Sequence, residues 1–215
     1  MNITLTIPVK NSLLIAAFLL SFRILPAAES ADQLYANLEH RLQSVKSLEI
    51  RYQAVQSGLA DVTAGRMIWI RPDRFYHDTP EWTLCETKGE QWRLLKQQQT
   101  LIREKSPADG EWLGEQVLFN LQRRFRAVSL DVLPDKRRAL HLQSTDAAQP
   151  GVADVEFAAG ESVPDVLRFA EADGRQMEYR ITEWTENGTA DPSLFETPIV
   201  PPENIIDFRQ ASEGR

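Results

Sequence analysis

The hydrophobic period changes once, near residue 46, and that change restricts the fold more than any other feature of the sequence. From Ala31 to Lys46, Leu34, Leu38, Leu42 and Val45 recur at three- and four-residue spacing, which predicts a helix with one apolar stripe. Glu39, Arg41, Gln43 and Lys46 cover its other side. Leu48, Ile50, Tyr52 and Ala54 then alternate with Glu49, Arg51 and Gln53, the period of a strand with one wet face. Most of the remaining chain keeps to strand-length runs broken by turn residues. These are 65–71, 74–77, 81–87, 91–96, 100–104, 127–133, 138–143, 154–158, 166–171 and 176–186, with Asp173-Gly174 as a hairpin signal between the last two. No helix alternates with these strands, so the sheet is predicted to be antiparallel.

Residues 106–126 interrupt the series. After a turn at Ser106–Gly110, Trp112, Leu113, Val117, Leu118, Leu121 and Phe125 mark a second amphipathic helix ending in Arg123, Arg124 and Arg126. Near the C-terminus, residues 197–202 read as an extended tether and residues 205–209 as a final edge strand. There is no internal repeat and no long linker, so residues 29–215 are expected to form one domain.

Residues 1–28 have the order of a secretory signal: Lys10, an apolar run from Leu13 to Phe22, then small residues, with cleavage expected after Ala27 or Ala28. The apolar run is about half the roughly 20 residues that a membrane-spanning helix needs. No cysteine follows at which a lipid anchor could be attached. The chain is therefore expected to be exported and then soluble. Removing Lys10 and Arg23 takes the net charge from −7 to −9, which disfavours nucleic acid and anionic membranes as partners. Cys85 is the single cysteine, so no intramolecular disulfide can form, and its neighbours Trp82 and Leu84 suggest a buried small hydrophobe. The three histidines, His40, His77 and His141, form no metal-ligand spacing. His77 and Cys85 have no nucleophile motif around them, so catalysis, a metal and a cofactor are not expected.

Several blocks fall into a familiar order. The helix-to-strand passage Leu38-x-x-x-Leu42-x-x-Val45-x-x-Leu48-x-x-x-Tyr52 comes first, then Gly65-Arg66-Met67-Ile68-Trp69-Ile70-Arg71-Pro72-Asp73-Arg74-Phe75. The hairpin Lys88-Gly89-Glu90-Gln91-Trp92 is next, and the tail Leu194-Phe195-Glu196-Thr197-Pro198 with Pro201-Pro202 and Ile206-Asp207-x-Arg209 is last. In this order the blocks resemble the LolA family of periplasmic lipoprotein carriers over nearly the whole exported part. The resemblance implies an α+β, mainly β fold: a strongly curved antiparallel sheet of about eleven strands forming an incomplete barrel, its concave face covered by helices as a lid. It implies a monomeric carrier that receives acylated lipoproteins from an inner-membrane ABC transporter and delivers them to an outer-membrane receptor. A LolA-like carrier or sensor of a different lipid is the alternative.

On this reading the acyl-binding lining and lid contacts are Leu38, Leu42, Trp69, Phe75, Trp82, Trp92, Trp112, Leu113 and Leu118. Each could equally be an ordinary core residue. Arg71 matches the family arginine that bonds backbone groups of the lid and controls opening, a task suited to the fixed fork of guanidinium donors. Residues 105–160 depart most from the family pattern.

Overall fold

The computed structural model describes residues 29–58, 61–106, 125–145, 151–170 and 176–209. The predicted helix is α1, Ala31–Ser44, and the strands are β1 (Ser47–Gln56), β2 (Val62–Ile70), β3 (Arg74–Asp78), β4 (Trp82–Thr87), β5 (Glu90–Leu95) and β6 (Thr100–Lys105). After these come β7 (Phe125–Val132), β8 (Arg138–Ser144), β9 (Val152–Phe157), β10 (Pro164–Ala170), β11 (Gln176–Glu186) and β12 (Ile205–Asp207). All twelve strands belong to one sheet in the order β12-β6-β5-β4-β3-β2-β1-β11-β10-β9-β8-β7. The end strands β12 and β7 are not paired with each other, so the sheet stays open.

Among the described residues, every strand pairing is antiparallel except one. β12 runs parallel to β6, with Ile205, Ile206 and Asp207 beside Leu101, Ile102 and Arg103. This corrects the all-antiparallel expectation. A parallel neighbour cannot be reached by a tight turn. Residues 187–204 form the connection, with short 3-10 turns at Pro192–Phe195 and Pro202–Asn204.

The sheet must curve, because one apolar cluster contains α1 together with residues from β1, β2, β3, β4, β8, β9, β10 and β11. Laid flat, the stretch from β4 to β7 would be about 40 Å wide, far broader than one helix of about 10 Å diameter. Curling around the helix brings Leu84 of β4 and Leu140 of β8 into the same core as Leu38. The architecture is an incomplete barrel with α1 on its concave face.

The helix forms where the period predicts. Ser30 caps its start by accepting from the Gln33 amide at 3.1 Å. Leu34, Leu38 and Leu42 are buried along its stripe. The second helix lies mostly outside the described residues, at 107–124. Its expected last turn is corrected: Phe125 and Arg126 begin β7 and pair with Ser144 and Gln143.

The concave apolar face and its arginine-tethered helix

Alternation along each strand divides the sheet into two apolar faces. Leu48, Ile50, Tyr52, Ala54, Met67, Phe75 and Leu84 point to the concave side with α1. Ile68, Tyr76, Cys85, Trp92 and Leu101 form a separate cluster on the convex side, covered by Phe195 with Leu194, Val200 and Ile205. Residues 190–205 are thus a strap that closes a second small core.

This division sorts the predicted lining. Leu38 and Leu42 of α1 and Phe75 of β3 are buried in the concave cluster, and Trp69 and Trp82 are half-buried against it. Trp92 is a correction: it sits directly across from Cys85 and belongs to the convex core beneath the strap. Trp112, Leu113 and Leu118 lie outside the described residues. His77 is concave and Cys85 convex, so the two do not form a Cys-His pair. Burial pushes the Cys85 thiol up to about 12, which leaves it an inert apolar group. Among the described residues, no group of three His, Cys, Asp or Glu is placed to hold a metal.

Arg71 comes directly after β2, before a cis peptide to Pro72, and meets the C-terminal end of α1. Its Nη2 donates to the Leu42 carbonyl at 3.1 Å and its Nε to the Val45 carbonyl at 3.1 Å. Its backbone amide donates to the Lys46 carbonyl at 2.9 Å. These acceptors belong to the last turn and exit of the helix, where carbonyls lack intrahelical donors and the helix dipole is negative. The guanidinium also stacks 4.3 Å from the centre of the Trp69 ring. One residue therefore ties the end of α1 to the end of β2.

The opposite flank of α1 is tied to the far strands. Tyr35 donates its hydroxyl to the Phe125 carbonyl of β7 at 2.8 Å, and Arg41 pairs with Glu186 of β11. Burial, with a smaller contribution from Glu39, raises the Tyr35 pKa, so this tie persists across the physiological range.

Beneath the helix runs an aromatic file. The Phe169 ring stacks on Tyr179 at 5.3 Å, and Tyr179 meets Tyr52 at 4.9 Å. The Tyr52 hydroxyl bonds the His77 Nε2, and His77 meets Trp82 edge-on at 4.6 Å. Gly65 makes the file possible. It pairs with Tyr52, and a Cβ there would come within 2.2 Å of the ring.

Among the described residues, the concave face is covered unevenly. α1 packs closely over β7 and β8. On the β4–β6 side, register carries the concave row from Leu84 through Arg93 and Ile102 to Ile206, with Trp82 and Leu95 one row over. Trp82, Arg93, Leu95 and Ile102 are each half-buried, and Ile206 is 42% exposed. Apart from Arg93, this concave strip is apolar, and its residues are partly accessible. On the same face, Glu86 accepts from the Ser106 hydroxyl and Glu104 from the Gln91 amide at 3.2 Å. Burial lifts the Glu86 pKa, opposed in part by the Ser106 bond.

The fold and this site define an open, strongly curved β half-barrel with a helix tethered in its concavity, while the second helix expected for the lid lies mostly outside the described residues. No family model matches the sequence, and no curated protein matches it. Among solved structures, it is similar to a domain from Vibrio parahaemolyticus described as outer membrane lipoprotein-sorting, at 8% identity and a TM-score of 0.44, covering 75% of this chain and 94% of that one. It is also similar to a DUF1329 family protein from Desulfovibrio piger, at 6% identity and a TM-score of 0.44, covering 77% and 95%. A third similarity is to the Pseudomonas aeruginosa MucA/MucB complex, at 10% identity and a TM-score of 0.39, covering 78% and 61%. No helix among the described residues is long and apolar enough to cross a membrane.

Proposed function

We propose that the protein is an exported periplasmic carrier that holds acyl chains on the concave face of its half-barrel. The observation that carries this reading is the uneven cover of that face among the described residues. One flank is filled by Leu34, Leu38 and Leu42 of α1, while Trp82, Leu95, Ile102 and Ile206 keep an accessible apolar strip on the other. Each methylene laid on such a strip contributes about 0.8 kcal/mol when fully buried. An open trough covers only part of a chain, which moderates the affinity and leaves release possible. The tie from Arg71 to Leu42 and Val45 holds the helix beside the trough and gives it a point of control.

In the specific form suggested by the LolA resemblance, the cargo is an acylated lipoprotein passed from an inner-membrane ABC transporter to an outer-membrane receptor. The protein acts as a binding protein rather than an enzyme. Native mass spectrometry of protein purified from the periplasm tests the reading. A bound mass equal to an acylated lipoprotein supports this form, and a bound mass equal to a free lipid supports the carrier with another cargo. A bare chain under conditions that preserve lipid complexes contradicts both.

A further inference from the structure

Arg93 is a cation on the wrong face for a purely apolar trough. Its cross-strand partners are Leu84 on β4 and Ile102 on β6, so its side chain leaves the sheet on the concave side between two apolar residues. The guanidinium lies 5.9 Å from the centre of the Trp82 ring. Among the described residues it makes no ion pair. The two acids of the adjacent concave row, Glu86 and Glu104, are held by Ser106 and Gln91 instead.

In the free protein, water reaches a half-buried arginine and its stem covers apolar neighbours at little cost. A ligand changes this. An acyl chain lying along Trp82, Leu95 and Ile102 strips water from the guanidinium, and a dehydrated charge without a counter-charge opposes binding. A ligand that brings its own oxyanion removes this cost and gains charge-assisted bonds to the planar fork of N–H donors.

We propose that Arg93 is the headgroup anchor of the trough, and that its ligand is an anionic amphiphile carrying a carboxylate or phosphate at the end of an acyl chain. The inference rests on the carrier reading and narrows its cargo. The ester- and amide-linked chains of an acylated protein bring no charge to this point, whereas the carboxylate of a fatty acid or the phosphate of a phosphate-headed lipid does. The aromatic face of Trp82 holds the first methylenes, and Leu95 and Ile102 flank the chain beyond them.

The experiment compares matched ligands on the full exported chain. Fluorescent cis-parinaric acid is titrated against its methyl ester, and an acylglycerol phosphate is competed against the acylglycerol of the same chain length. The charged member of at least one pair is expected to bind about tenfold tighter than its neutral partner. Arg93→Gln should remove that preference by weakening the charged member while the neutral member binds at least as tightly as before, and Arg93→Lys should retain part of the preference. Preference for the acid assigns a free fatty acid, and preference for the phosphate a phosphate-headed lipid; either supports the proposal. Equal binding within both pairs by the unsubstituted protein overturns the anchor and leaves the carrier reading standing. So does an equal loss of both members in Arg93→Gln. Failure of all four ligands to bind overturns the carrier reading and the anchor with it.

Discussion

The Nη2 of Arg71 donates to the carbonyl of Leu42 at 3.1 Å, joining the end of β2 to the last turn of α1. The residue it holds is itself buried in the concave core, so the bond fixes how deeply the C-terminal half of the helix sits. Arg71→Leu removes both side-chain bonds to the end of α1, each worth about 1.5–3 kcal/mol when the donor is charged. Its expected signature is faster hydrogen exchange confined to α1. As a carrier, the variant should load cargo normally and pass it on poorly in a two-membrane transfer assay. Normal delivery would remove the control role of Arg71.

Gly65 is required by the ring lying across it rather than by a turn. A Cβ at this position meets Tyr52 atoms at 2.2 Å. Gly65→Ala is expected to cost about 1–3 kcal/mol, the usual range for overpacking a filled core. Urea denaturation checks the magnitude. Adding Tyr52→Leu should recover part of the loss, and a double variant no more stable than the sum of the two single effects would show that the ring is not the cause.

Leu38 is 1% exposed at the centre of the helix stripe. Leu38→Ala should cost about 2–5 kcal/mol through lost burial and the cavity left behind. A shift of under about 1 kcal/mol in denaturant titration would mean that α1 is not packed on the sheet as described.

His141 joins the edge strand β7 to β9 by bridging two acids. Its Nδ1 lies 2.7 Å from Asp154 and its Nε2 3.2 Å from Asp131. Two carboxylates facing both ring nitrogens require both to donate, which only the imidazolium can do. Burial pulls the His141 pKa down, but Asp154 and then Asp131 outweigh it and the net shift is upward. A raised folded pKa stabilises the fold fully below the unfolded value, and the contribution disappears as pH rises through the folded one. Stability of the natural chain should therefore fall more steeply than that of His141→Gln as pH rises above the ordinary imidazole range. Parallel curves for the two proteins would contradict the bridge.

Much of the fold was legible in the sequence because the alternation follows burial directly. Leu48, Ile50, Tyr52 and Ala54 announced β1 and its wet face together, and all four are buried. The direction of β12 was not legible. It depends on a strap that crosses the convex face, and the strap's anchor Phe195 looks like any isolated aromatic until Tyr76 and Cys85 are seen beneath it. The same cause hid the face of Trp92. In Trp92-Arg93-Leu94-Leu95 apolar residues occur on both faces, so period two cannot decide which is concave; only the pairing of Trp92 with Cys85 does. Arg93 was missed for that reason, since a charge between two apolar residues reads as the solvent side. Arg71 was legible only through the family resemblance, because nothing local to Ile70-Arg71-Pro72 announces an acceptor 29 residues away.

The central claim is that acyl chains lie on the concave strip of β4–β6 beside α1. Photolabelling with a fatty acyl chain carrying a diazirine near its end, combined with peptide mapping, tests it most directly. Adducts should concentrate on Trp82, Leu95 and Ile102 and be competed away by unlabelled acyl ligand. Adducts spread over the convex face, or unaffected by competitor, would contradict it.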